Sequence, residues 1–319
     1  MGSSVSRANG PRVHIPNEML SEMLRGFSLG QLHIVAGVNV RLRDVVKTRL
    51  RIRIHYNLSK FIAEHKVEDF MALLNANASV VGGSIAQGAI TPEIFYDAPP
   101  SNLNVFVPHG VVDTVSRFLI QDLAYTIDGV EVNRIKKSVE SVVFLSDGPE
   151  KRIIICESTS SSCLRPILRS SFTSQVNFLT ANHIYCVYPH LTPNLQAMQR
   201  LPKPHGPAGK ALEDKQLSVL LRQRVELIEN DDEIPFCREN QACREFRRRL
   251  FVGPQEEQKT PLEDIGIMCW DEDHDPEELL AQNHDQFSLG GTCKVPHCLT
   301  RFALGARCQD PLCVAPITQ

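Results

Sequence analysis

Residues 79–84, Ser-Val-Val-Gly-Gly-Ser, and residues 101–108, Ser-Asn-Leu-Asn-Val-Phe-Val-Pro, decide how this chain is read. In the first run a short apolar strand meets two glycines and a hydroxyl, and a helical stretch starts from Ile85. Glycine allows the backbone to approach a ligand closely, and the free N–H groups of a helix start suit a phosphate. An ordinary tight turn accounts for Gly82, Gly83 and Ser84 equally simply. In the second run polar and apolar side chains alternate, the period of a strand. Asn102 and Asn104 stand two apart and therefore share a face.

Downstream, Val111, Val112, Val115, Phe118, Leu119 and Leu123 make a helical stripe suited to packing on a sheet. Residues 142–145 and 152–156 are apolar runs joined by Ser146-Asp147-Gly148-Pro149, which predicts a hairpin. Upstream, residues 67–74 carry a helical pattern. Glycine turn and helix, a strand with two short polar residues at i and i+2, then helix and hairpin: this order resembles the nucleotidyltransferase fold. It is most similar to a fungal set of F-box-associated proteins of that fold, whose glycine turn is followed by a strand reading Ser-Asp-Leu-Asp-Leu-Tyr-Val-Pro. Residues 166–192, PILRSSFTSQVNFLTANHIYCVYPHLT, are similar to the same set.

In active members of the fold the two aspartates hold divalent magnesium, which aligns the triphosphate and polarises the attacking hydroxyl. At both matching positions this chain has an amide, Asn102 and Asn104. Magnesium takes hard, charged oxygen ligands, and removing two negative charges from such a site costs several kcal/mol. Two-metal nucleotidyl transfer is therefore expected to be lost. Asp97 lies on the preceding loop, and Glu157 ends the hairpin strand where a third carboxylate could fall; neither restores the pair. The domain is expected to be a silent scaffold, with nucleotide binding through Gly82, Gly83 and Ser84, beside Asn102 and Asn104, left open.

Residues 14–46, HIPNEMLSEMLRGFSLGQLHIVAGVNVRLRDVV, predict three short helices. Pro16 suits a first helical position, Ser28 with Gln31 is a capping-box signature, and Asn39 is a helix-capping residue type. The block resembles an F-box, with an apolar-Pro opening at Ile15-Pro16, then Glu18, Leu20, Leu32 and a Val at 38. The resemblance implies docking on a Skp-type adaptor of a cullin ubiquitin ligase through Ile15, Pro16, Leu20, Leu24, Leu32 and Val38. Gly30 and Gly37 depart from the family's better helix formers; a helical cap packed only on its own chain is the plain alternative.

The whole chain has 319 residues, with 34 basic and 37 acidic side chains and a formal charge of −3. That balance makes no electrostatic bid for duplex nucleic acid. No run approaches the roughly 18 apolar residues of a spanning helix, and a soluble cytoplasmic or nuclear protein is expected. Gly2, with Ser6 behind it, fits a myristoylation pattern as well as it fits a plain flexible tail. Membrane contact is expected only with that acylation, and one acyl chain would bind reversibly.

Residues 201–210, LPKPHGPAGK, mark a linker, and residues 211–230 predict a helix that packs back on the sheet domain. Arg244 and Arg247–Arg249 are expected to form a solvated face. Of the 10 cysteines, Cys156, Cys163 and Cys186 lie in apolar runs and read as core. Cys293 and Cys298, then Cys308 and Cys313, keep four-residue gaps. They form either a structural zinc site or reduced thiols in an extended segment. No other cofactor is expected.

The expected architecture is thus α+β: a tail over 1–12, an F-box-like helical segment over 13–55, and a nucleotidyltransferase-like mixed sheet with flanking helices over 56–200. A linker, helix and irregular Cys-containing region complete it over 201–319. The expected function is non-catalytic, a substrate receptor whose sheet domain recognises an unknown target protein. The alternative is an enzyme transferring a nucleotide from a nucleoside triphosphate to a hydroxyl.

Overall fold

The computed structural model describes residues 15–96, 99–132, 138–168, 170–189, 191–199, 207–228, 247–250, 266–269 and 285–288. The expectations for Gly2, Asp97, Arg244 and the cysteines at 293, 298, 308 and 313 lie outside these residues.

Three helices open the fold. α1 (Asn17–Met23) begins directly behind Pro16, which is its cap rather than its first residue. α2 (Leu29–Ala36) starts on the expected capping box: Ser28 Oγ accepts from the Gln31 N–H, and Gln31 Oε1 accepts from the Ser28 N–H at 2.8 Å. α3 (Val40–Leu58) starts on Asn39, whose Oδ1 accepts from the Leu42 N–H at 2.9 Å. Such caps satisfy N–H groups that a helix start leaves without carbonyl partners, so α2 forms despite Gly30. Leu24, Leu32, Val45 and Val46 bury a small core where these helices meet.

α3 runs through residue 55, the expected end of the helical segment, and stops at Leu58. Its far half turns Leu50, Ile54 and Leu58 into the main core, together with Ile85, Ala86 and Ile90. The amino-terminal helices and the sheet therefore share one apolar interior.

The remaining elements are α4 (Val67–Ala76), β1 (Val80–Gly82), α5 (Gly83–Ile90), β2 (Leu103–Val107), α6 (Val112–Gln121), β3 (Thr126–Val132), β4 (Val139–Asp147), β5 (Lys151–Ser158), α7 (Leu164–Leu168), β6 (Phe178–Leu179) and β7 (His183–Cys186). Beyond them lie β8 (Gln196–Ala197), α8 (Pro207–Arg222), β9 (Glu226–Leu227), β10 (Arg247–Leu250), β11 (Gly266–Cys269) and β12 (Asp285–Ser288). Seven strands make a mixed sheet in the order β7-β6-β1-β2-β5-β4-β3, and β11 pairs outside β7. Only β2 and β5 run parallel within it. The architecture is α+β, with a mostly helical amino-terminal region.

The hairpin is present and longer than expected, and β3 is an added edge strand. Its alternation is broken by a register shift between Ile127 and Gly129, which hides the period of two. α8 starts earlier than expected and stops at Arg222; it packs through Leu220, next to Val225, Phe172 and Ala197. Cys163 and Cys186 are buried and Cys156 is half-buried. Among the described residues no helix is long and apolar enough to cross a membrane.

Candidate functional site

The glycine turn meets β2 where β1 pairs antiparallel with it, Gly82 opposite Asn104. Gly83 opens α5 with φ +66, a left-handed conformation that side chains disfavour. A Cβ there would lie 2.3 Å from Asn104 Nδ2, and a Cβ on Gly82 would lie 2.7 Å from the Phe106 ring. Both glycines are therefore required by the chain's own strand, whose side chains occupy the space against the turn. Ser84 is half-buried in the first turn of α5.

Leu103, Val105 and Val107 are buried in the core, which turns Asn104 and Phe106 to the other side of β2. Asn102 Nδ2 donates to Asn104 Oδ1 at 2.6 Å, and Ser101 Oγ donates to Asn102 Oδ1 at 3.2 Å. A carboxamide carries both a donor and an acceptor, so two of them satisfy each other. Two carboxylates so placed would be acceptors only and would need a cation or a proton between them.

The neighbouring strand decides what else faces the pair. β5 runs parallel to β2 with Leu103 beside Ile153, Asn104 beside Ile154 and Val107 beside Glu157. Side chains alternate along both strands, so Arg152, Ile154 and Cys156 share the face of Asn104. Glu157 shares the face of Val107 instead, turned away from the amide pair. It is buried there: its Oε1 accepts from the Gly110 N–H at 2.7 Å, and its Oε2 accepts from Ser141 Oγ at 2.6 Å. The carboxylate thus ties the turn after β2 to β4. The face carrying the two amides has Arg152 as its nearest ionised group on β5, the wrong sign for holding a divalent cation. Among the described residues no cluster of three or more His, Cys, Asp or Glu side chains could hold a metal ion.

The helical segment sorts its six expected contact residues into two sets. Leu24 and Leu32 are buried within the chain's own core and Leu20 is half-buried, so the first two offer no surface to a partner. Ile15, Pro16 and Val38 are exposed. Arg41 donates to Asn17 Oδ1 at 2.8 Å and also to the Ile15 carbonyl, drawing the start of α3 against the start of α1. Met19, Met23, Ile34 and Val40 are exposed as well, between 59 and 72%. Helical spacing hid them in the sequence, because an apolar residue on a helix is ordinarily taken for core.

Compared with family models, with curated proteins and with solved structures, the chain matches none of them.

Proposed function

We propose that the protein is a non-catalytic adaptor. Its amino-terminal helices act as an F-box-like tether for a Skp-type adaptor of a cullin ubiquitin ligase, and its sheet acts as a degenerate nucleotidyltransferase-like module that presents a surface to a target protein. The observation that carries the first negative half is the Asn102–Asn104 hydrogen bond beside Ile154 and Arg152. Nucleotidyl transfer by two metals needs clustered anions on that face, and the pair instead satisfies itself with neutral groups. The tether is supported by the exposed apolar residues of the first three helices, Ile15, Met19, Met23, Ile34, Val38 and Val40. These six stand on or beside α1, α2 and α3, and a patch of exposed apolar side chains is what an interaction surface requires.

The test uses the full chain, because α3 belongs to the shared core and deletion of residues 13–55 would expose it. Binding of a purified Skp-type adaptor is measured for the native chain and for Ile15→Asp with Val38→Asp, two positions that are exposed. Adaptor binding that falls by about tenfold or more supports the tether, consistent with losing more than about 1.4 kcal/mol. Undiminished binding, or none by the native chain, removes it. For the sheet, magnesium-dependent incorporation of labelled nucleotide that disappears in Ser84→Ala would establish the enzyme in place of the scaffold.

A further inference from the structure

β3 closes the sheet at one end, paired with β4 along one side and with no strand along the other among the described residues. An edge strand presents a row of backbone N–H and C=O groups without partners. The register shift sorts its side chains. Ile127 stands beside Leu145 and, past the extra residue, Val130 stands beside Val143 and Val132 beside Ser141. Leu145 and Val143 belong to the main core, so the bulge keeps Ile127 and Val130, three apart, on the core side of the sheet. There they are 51 and 57% exposed, and Val132 is 65% exposed. The apolar side of the sheet thus runs out to an open edge uncovered.

The opposite side carries the charge. Glu131 stands beside Val142, and Asp128, at the shift, accepts from Ser146 Oγ at 2.7 Å. Val142 and Ser146 alternate with Val143 and Leu145, so both acids lie away from the apolar row. β3 and β4 carry four carboxylates, Asp128, Glu131, Glu140 and Asp147, and no basic side chain. Asp147 pairs with Lys151 at 3.6 Å, while Glu131 and Glu140 have no ion pair among the described residues. Two copies of β3 set edge to edge would bring their Asp128 and Glu131 carboxylates onto one side, where like charges repel. A cationic strand meets no such cost.

We infer that the open edge of β3 takes up an extended segment of a partner protein in which apolar and basic residues alternate. In such strand addition the backbone supplies hydrogen bonds, and alternate side chains supply selectivity. Apolar residues of the segment extend the row of Ile127, Val130 and Val132, and basic ones meet Asp128 and Glu131 on the other side. A strand's period of two lets one segment serve both sides at once. β3 then gives the sheet module its target-facing surface, and rests on the adaptor reading for that role. Binding is measured with no Skp-type adaptor present, so a failure at this edge is distinct from a failure of the tether.

Three end-blocked hexapeptides are titrated into the full chain by calorimetry: alternating valine and lysine, the block isomer with all valines before all lysines, and alternating valine and glutamate. Saturable binding of the alternating lysine peptide is expected, about tenfold or more tighter than either of the others, with slowed hydrogen exchange at the β3 amides. Val130→Ser and Glu131→Lys, at exposed positions, are expected to melt like the native chain and to bind that peptide about threefold or more weakly. Glu131→Lys should also gain affinity for the glutamate peptide. No saturable binding, equal binding of the block isomer, unchanged exchange at β3, or native affinity in both variants would overturn the assignment. So would a native chain that sediments as a dimer and that Glu131→Lys dissociates, because a second copy, with Arg134, Lys136 and Lys137 following its β3 in sequence, would then hold the edge.

Discussion

The Asn102 side-chain amide donates to the Asn104 carboxamide oxygen across 2.6 Å, while the other end of the Asn104 amide lies against Gly83, whose missing Cβ would sit 2.3 Å from it. One bond thus fixes both the strand's polar face and the turn that crosses it. A self-satisfied neutral pair stands where a metal site would need two unshared anions.

Replacing both amides by aspartate keeps the shape and removes the donor. Two carboxylates at this spacing repel, and the variant with Asn102→Asp and Asn104→Asp should lose about 2 kcal/mol of stability at the half-exposed site. Part of the loss should return when manganese is added. Denaturant unfolding with and without the ion reads both effects, and a variant as stable as the native chain in either solution contradicts the geometry.

Gly83→Ala adds a side chain to a left-handed backbone and pushes it into Asn104. The backbone alone costs about 1–2 kcal/mol, and displacement of the amide adds to it. Combined with Asn104→Ala, the clash disappears and part of the cost should be recovered. Strict additivity in that double-mutant cycle would mean that the two residues do not touch.

Arg53, on α3, fastens the turn after α1 to α5. Its guanidinium donates to the Ala89 carbonyl at 3.0 Å and to the Phe27 and Arg25 carbonyls at 2.7 and 3.2 Å. Arg53→Leu leaves the buried Ala89 carbonyl and the two part-buried ones short of donors and should cost about 3 kcal/mol. Because α3 lies in the shared core, calorimetry of the native chain should show residues 15–58 melting together with the sheet. An early, separate transition for the helices would contradict this.

Alkaline solution separates two buried groups of opposite sign. Burial pushes the Tyr125 hydroxyl well above its ordinary value, with Asp147 adding to the shift, while burial, helped by Arg49, holds Arg53 down at about 10. The neutral Tyr125 is favoured by folding, so its contribution is complete below the unfolded value near 10 and is lost as pH rises beyond it. Arg53 works the other way: its charged form is disfavoured by burial, so the penalty eases as pH rises from about 10 toward the group's higher ordinary value. Tyr125→Phe removes the first effect and leaves the second. At pH 7 the native chain should be more stable than the variant by about 1 kcal/mol, since Tyr125 donates to the Phe61 carbonyl at 2.7 Å. That advantage should shrink above pH 10, and a constant difference between the two unfolding curves would refute it.

Local chemistry was legible. The caps on Ser28 and Asn39, the alternation through Leu103–Val107 and the turn between β4 and β5 each join residues a few positions apart, where backbone geometry leaves few choices. The shared face of Asn102 and Asn104 belongs with them, because a strand's period places i and i+2 together wherever the strand lies.

Long-range partners were not legible. Glu157 reads in the sequence as a charge at a strand end, whereas the register of β5 against β2 buries it on the face away from the amide pair, and no pattern within β5 encodes that register. Leu24 and Leu32 looked the same as Ile15 and Val38 in an apolar pattern, and packing alone separated buried from exposed. The continuation of α3 past residue 55 was not legible either, because Ile54 and Leu58 share a core with Ile85 and Ala86, across a gap that helical periodicity does not see. Arg53 and the open edge of β3 follow the same logic. Hydrogen bonds within a turn are set by short covalent reach, whereas the burial of a surface is shared between segments and is settled only when they meet.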